Sequence, residues 1–208
     1  LLYDLRIPHH DFVTSLAAIT FEGNYVCVVC RETTEPSPNF IVVYDLQSGT
    51  LFKKWKPLCD TVALEISSAD GSVVSGLQDA RILVWDLITG NCRHTLIGHT
   101  APVTSLRLDP SGGILLSSDS MCRDRSIRLW DLNNGSMLAV FTPTAKITSC
   151  EIIQKGRYIT LALEDHKNLV VLKLVRPEDD LEDNTTTMQY YGLQENDGKV
   201  FNLKEGAP

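Results

Sequence analysis

The sequence predicts an all-β fold, a partial β-propeller of about four four-stranded blades preceded by one strand of a further blade. Three observations carry that prediction. A tripeptide cadence recurs as Tyr3-Asp4-Leu5, Tyr44-Asp45-Leu46, Trp85-Asp86-Leu87 and Trp130-Asp131-Leu132, at steps of 41, 41 and 45 residues, and a worn copy puts Leu172 in the Trp position 42 residues further on. Self-similarity at about 40–45 residues with a Trp-Asp dipeptide is the mark of propeller blades, each of which needs its neighbours to bury its faces. Between the copies lie short apolar runs divided by Gly-bearing turns, and helical periodicity is missing throughout.

The elements follow in a fixed order. First strands read Val13-Thr14-Ser15-Leu16, Val62-Ala63-Leu64-Glu65-Ile66, Val103-Thr104-Ser105-Leu106 and Ile147-Thr148-Ser149-Cys150. Each is followed by a turn holding Gly23, Gly71, Gly112 or Gly156, where Gly and its Asn and Asp neighbours tolerate positive φ. Second strands run over 25–30, 72–77, 114–118 and 158–163. Third strands, over 40–46, 81–87, 126–132 and 168–174, are rich in Ile, Val and Leu, as strands covered on both faces should be. Fourth strands follow three of them, at 51–55, 92–96 and 137–141. The repeat units thus end near 5, 46, 87, 132 and 174. The blades occupy residues 1–175, and 176–208 reads as an acidic linker and tail with a degenerate strand near Phe201. Because the chain opens on the end of a repeat, the expectation is an open arc belonging to a larger propeller.

Composition narrows function. No apolar stretch of the 208 residues nears the roughly 18 needed to span a membrane. Of the formal charge of −7, residues from 176 onward supply eight acids against three bases, a net −5, which leaves about −2 on the repeats. A nucleic-acid binder wants a basic face, and none is visible. Six scattered cysteines favour a reducing compartment. Cys27 and Cys30 form a CxxC, yet residues three apart on a strand point to opposite faces and cannot share a metal. No Ser-His-Asp, HExxH or EF-hand pattern is present, and no cofactor is implied.

These residues resemble the WD-repeat family over positions 1 to about 175. The most faithful copy has Gly98-His99 at its start, Asp124 six residues before Trp130, and Trp130-Asp131 at its end. The resemblance implies a hydrogen-bonded relay inside the blade: His99, a hydroxyl from Ser117 or Ser118, Asp124 and Trp130. The preceding copy keeps Ser75, Asp79 and Trp85 but has Leu58 in the His position. The first keeps His9 and lacks the turn Asp. The fourth keeps the strand pattern alone. Asp119, inside the extra residues of the longest step, is the competing partner for His99. The resemblance also implies a non-catalytic, cytoplasmic protein-interaction scaffold that binds other proteins, or another domain of its own chain, through His10, Phe12, Gln78, Arg123 and Arg125. The alternative is a propeller enzyme with its site in the central channel. Tyr44–Leu51 and Val73–Leu77 further resemble the repeat half of NACHT and WD repeat domain-containing proteins. The expectation for residues 178–190 is low order, since they lack apolar periodicity and carry like charges.

Overall fold

The computed structural model describes residues 4–119, 123–153, 156–174 and 188–192, and among them it contains strands and turns but no helix. The first blade is β1 (His10–Ile19), β2 (Tyr25–Glu32), β3 (Asn39–Asp45) and β4 (Thr50–Trp55). The second is β5 (Thr61–Ser67), β6 (Ser72–Leu77), β7 (Ile82–Asp86) and β8 (Cys92–Leu96). The third is β9 (Ser105–Leu108), β10 (Ile114–Ser118), β11 (Ile127–Asp131) and β12 (Ser136–Phe141), and the fourth β13 (Ile147–Ile153), β14 (Tyr158–Leu163), β15 (Val170–Leu174) and β16 (Met188–Gly192). Each blade is an antiparallel meander with its strands in chain order. The innermost strands touch in sequence, β1 with β5, β5 with β9 and β9 with β13, and the four sheets do not close into a ring. The fold is a partial β-propeller.

Position in the arc sets the burial of each blade. Every residue of β6, in the second blade, is buried, because its sheet is covered on both sides. One of its faces joins Leu64, Ile66, Val73, Leu83 and Trp85 to Cys27, Ile41 and Val43 of the first blade. The other joins Ala63, Val74 and Val84 to Leu106, Leu115 and Trp130 of the third. In the fourth blade β14 instead alternates, with Ile159, Leu161 and Leu163 turned onto the third blade and the intervening residues half exposed. Cys27 and Cys30 lie in different clusters on opposite faces of the first sheet, and burial raises both thiols, that of Cys27 well above its ordinary range.

Three sequence expectations need correction. The identical tetrapeptides Val13–Leu16 and Val103–Leu106 do not superpose. β1 bulges between Phe12 and Ala17, so Ala17 pairs with Val28 where Leu106 pairs with Ser117. A one-residue offset exchanges the two faces of a strand, and Leu16 accordingly packs between the first and second blades. The blade array also extends beyond residue 175, because 188–192 forms the outer strand of the fourth blade, paired with β15. Residues 188–190 of the segment expected to be poorly ordered therefore lie in a sheet, while 178–187 and the echo at Phe201 fall outside the described residues. Of the repeat end read at Tyr3-Asp4-Leu5, Asp4 and Leu5 are irregular and residues 1–3 fall outside the described residues; Leu5 and Ile7 lie on Cys30, Val42 and Tyr44.

Candidate functional site

Register explains which blades can carry the internal relay. Trp130, Trp85, Tyr44 and Leu172 pair with Leu115, Val73, Val26 and Ile159. Two residues further along each second strand stand Ser117, Ser75, Val28 and Leu161. The third blade holds the full set. His99 Nδ1 lies 2.7 Å from Asp124 Oδ2, and its Nε2 lies 2.7 Å from Ser117 Oγ. Trp130 Nε1 donates to the same hydroxyl at 2.8 Å. An indole N–H can only donate and a carboxylate only accept, which fixes the direction of the chain. Trp130 donates to Ser117, Ser117 donates to His99 Nε2, and His99 Nδ1–H donates to Asp124. The scheme needs a neutral imidazole. Burial lowers the His99 pKa below its ordinary value even though Asp124 pulls the other way.

The turn is built to hold that carboxylate. Asp119, buried, accepts the backbone N–H groups of Arg123 and Asp124 at 2.9 and 3.1 Å, so it supports the relay and is not its acceptor. Burial opposes ionisation of Asp124, but hydrogen bonds from Ser126, the Thr100 amide and His99 outweigh it and hold the carboxyl at about 2. Ser118 is buried outside the chain, its hydroxyl 3.8 Å from Cys150 Sγ.

The other blades diverge in ways their residues explain. In the second, Trp85 Nε1 donates to Ser75 Oγ at 2.9 Å, and the wiring stops there. Leu58, in the His position, is 87% exposed, and Asp79 pairs with the Arg81 guanidinium at 2.9 Å. Asp79 is therefore not a relay member. In the first blade the Val28 side chain cannot donate or accept, and the buried Tyr44 hydroxyl has no hydrogen-bond partner among the described residues. Its inward imidazole belongs to His10, not His9, which sits exposed at φ 61°. The His10 Nδ1–H donates to Pro8 O at 2.8 Å, and its Nε2 accepts from Lys54 Nζ at 2.7 Å while that ammonium stands 4.0 Å from the Phe40 ring centre. With its side chain 8% exposed, His10 leaves the set of displayed residues. Phe12, Gln78, Arg123 and Arg125 are exposed, at or near the loops before the first strands and between second and third strands.

The sequence reading missed an ionic ladder across the inner strands. Leu64, Leu106 and Cys150 pair with Ser75, Ser117 and Leu161, so the next residues, Glu65, Arg107 and Glu151, share one level on adjacent blades. Arg107 Nε donates to Glu151 at 3.0 Å, and Nη1 reaches Glu65 at 3.5 Å. The available signal was a charged residue one place after each apolar first-strand position. Burial raises the Glu65 carboxyl from 4.5 to about 7, against the pull of Arg107 and with help from Glu151. The folded chain thus holds this proton more tightly than the unfolded one. Its stabilisation is complete below about pH 4.5 and is lost as pH rises through 7. Glu65→Gln should consequently raise stability at pH 8 by about 1–3 kcal/mol and change it little at pH 5, as read by urea unfolding. An equal gain at both values would rule this account out.

Residues 90–131, from the end of the second blade through Trp130-Asp131, match the WD40 family model, described as WD domain, G-beta repeat. The chain is 33% identical over 96 residues to autophagy-related protein 16 of Arabidopsis thaliana, covering 46% of this chain and 18% of that protein. It is 39% identical over 69 residues to human WD repeat and SOCS box-containing protein 1, covering 33% of this chain and 16% of that one. With the chicken p21-activated protein kinase-interacting protein 1-like it shares 26% identity over 127 residues, 61% of this chain and 32% of the relative. The chain thus matches less than a third of the length of each. The family match is centred on the one blade with complete wiring, among sheets of the same strand order that make a partial propeller.

Proposed function

We propose that this chain is a non-catalytic interaction scaffold, part of a larger cytoplasmic multidomain protein, that presents one rim of its blades to a protein partner or to another domain of the same polypeptide. The carrying observation is the exposure of Phe12, Gln78, Arg123 and Arg125 at one end of sheets packed too tightly to rearrange. Rigid display limits the ordering cost of binding, and aromatic and Arg side chains are effective anchors. Asp119 ties down the Arg123 backbone, so at least one of these side chains is offered from a fixed base. The name of the kinase-interacting relative describes a binding role for that protein and favours the same class of role here. The likeness of Tyr44–Leu51 and Val73–Leu77 to NACHT and WD repeat proteins supports a signalling ATPase as the wider context.

Site-specific photo-crosslinking tests the surface. A benzophenone side chain at Gln78 or Arg125 should capture a discrete partner, and one at Met137 on the outer strand β12 should not. Arg123→Glu with Arg125→Glu should reduce capture at least about tenfold, since reversing two anchor charges opposes them to their former partners. Equal capture from Met137, or indifference to the charge reversal, would overturn the assignment.

A further inference from the structure

We infer that the cleft at the opposite, turn-bearing end of β1, β5 and β9 is a docking site for a peptide segment offering a basic side chain beside an apolar one. Ile19, Phe21, Leu108 and Pro110 form its apolar wall, and Glu22 and Glu65 its acidic one. Its volume is about 220 Å³, below the roughly 300–1,000 Å³ of pockets that enclose a whole small ligand. That size suits one inserted side chain.

Two features specify the occupant. Phe21 is 94% and Ile19 59% exposed, and neither belongs to any core cluster. Large apolar side chains gathered at the lip of a cleft are an uncommon expense for a surface and mark contact sites. The charge on the other wall is undercompensated. Among the described residues none that lines the cleft is basic. Glu65 shares Arg107 with Glu151, which holds the closer contact, and Glu22 is held by hydrogen bonds from the Ser68 hydroxyl and its own backbone amide, neither of them from a cation. Asp109 also lines the cleft, but its carboxylate is occupied by the Ile114 and Ser111 amides of its own turn. A guanidinium or ammonium entering here would meet Glu65 and Glu22 on one side and the face of Phe21 on the other, an arrangement that favours a cation. The groups facing Glu65 are Arg107 from β9, Glu151 from β13, and Glu22 and Asp109 from the turns, and β6 contributes no titratable side chain. Because burial holds the Glu65 carboxyl at about 7, a cationic occupant should bind more tightly as pH rises from 6 to 8.

This cleft and the partner-facing loops lie at opposite ends of the sheets, so either assignment can fail while the other stands. The probe is the blocked pentapeptide Ala-Leu-Arg-Leu-Ala, with a copy carrying norleucine in place of arginine, titrated into the labelled 208-residue chain and followed by backbone amide shifts. The arginine peptide should shift the amides of Phe21, Ser68 and Leu108, more tightly at pH 8 than at pH 6. The norleucine peptide, Glu65→Gln and Phe21→Ala should each weaken binding at least about fivefold. Phe21→Ala removes a side chain outside the core, so its effect cannot be a folding defect. Equal affinity for the two peptides, shifts confined to other residues, or no shifts at millimolar peptide would each overturn the proposal.

Discussion

Asp124→Ala is expected to cost about 2–4 kcal/mol of stability in urea unfolding, while Asp79→Ala changes it by less than about 0.5 kcal/mol. Both aspartates sit between a second and a third strand, and the two differ in what they hold. Asp124 is 7% exposed and receives the His99 ring, the Thr100 amide and the Ser126 amide. Removing it strands those donors in a site closed to water, and an unmatched buried donor costs more than the bond was worth. The loss then spreads, because His99 without its acceptor no longer keeps the tautomer that receives the Ser117 proton. Asp79 pairs with Arg81 at the surface, where a salt bridge contributes little. The Asp124 effect should also carry a pH signature. Burial lowers the His99 pKa in the folded chain, so stability falls as pH drops below the unfolded value near 6.5, and Asp124, which favours the protonated ring, limits that loss; Asp124→Ala should therefore cost more at pH 5 than at pH 8. A loss under about 1 kcal/mol for Asp124→Ala would show that the relay is ornamental in this blade.

How much of this was legible depended on how locally each feature is encoded. The blades were legible because the Trp-Asp step and the apolar runs repeat in the chain itself, and the third-blade relay because all its members stand at family spacing. Asp79 misled because spacing alone cannot say whether a carboxylate has a buried donor to face, and exposed Leu58 removes that donor. His9 and His10 were exchanged because one residue of offset reverses a strand's faces, and the bulge in β1 has no signature in Val13–Leu16. β16 was missed because Met188–Gly192 follows a long polar stretch, and an outer strand needs only one partner and little apolar content to pair. The Glu65–Arg107–Glu151 ladder joins three blades, its residues 42 and 44 positions apart, and becomes visible only when register aligns them.

Gly76→Ala should destabilise the chain by about 2–3 kcal/mol, through the contact between the second and third blades and not through backbone strain. Gly76 lies in the fully buried strand β6 and does not occupy the left-handed region. A methyl group there would meet Val103 O at 2.4 Å, with the Ala63 and Val103 Cβ atoms at 3.2 Å. The carbonyl cannot rotate aside as a side chain would. The same residue's N–H donates to Leu77 O at 3.3 Å, so a shift large enough to relieve the clash also stretches the hydrogen bond that joins the two blades. An isolated Gly within a strand marks a close backbone approach, and here the approaching backbone is the neighbouring blade. Gly23→Ala supplies the contrast: its φ of +72° makes Ala strained, but nothing lies within 4 Å, and about 1 kcal/mol is expected. Amide exchange should separate the two mechanisms. Gly76→Ala accelerates exchange at Val103 and along β9, and Gly23→Ala does so only around its own turn. A Gly76→Ala chain with unchanged protection at Val103 would mean that the blades part freely, and the rigid display on which the scaffold reading depends would lose its physical basis.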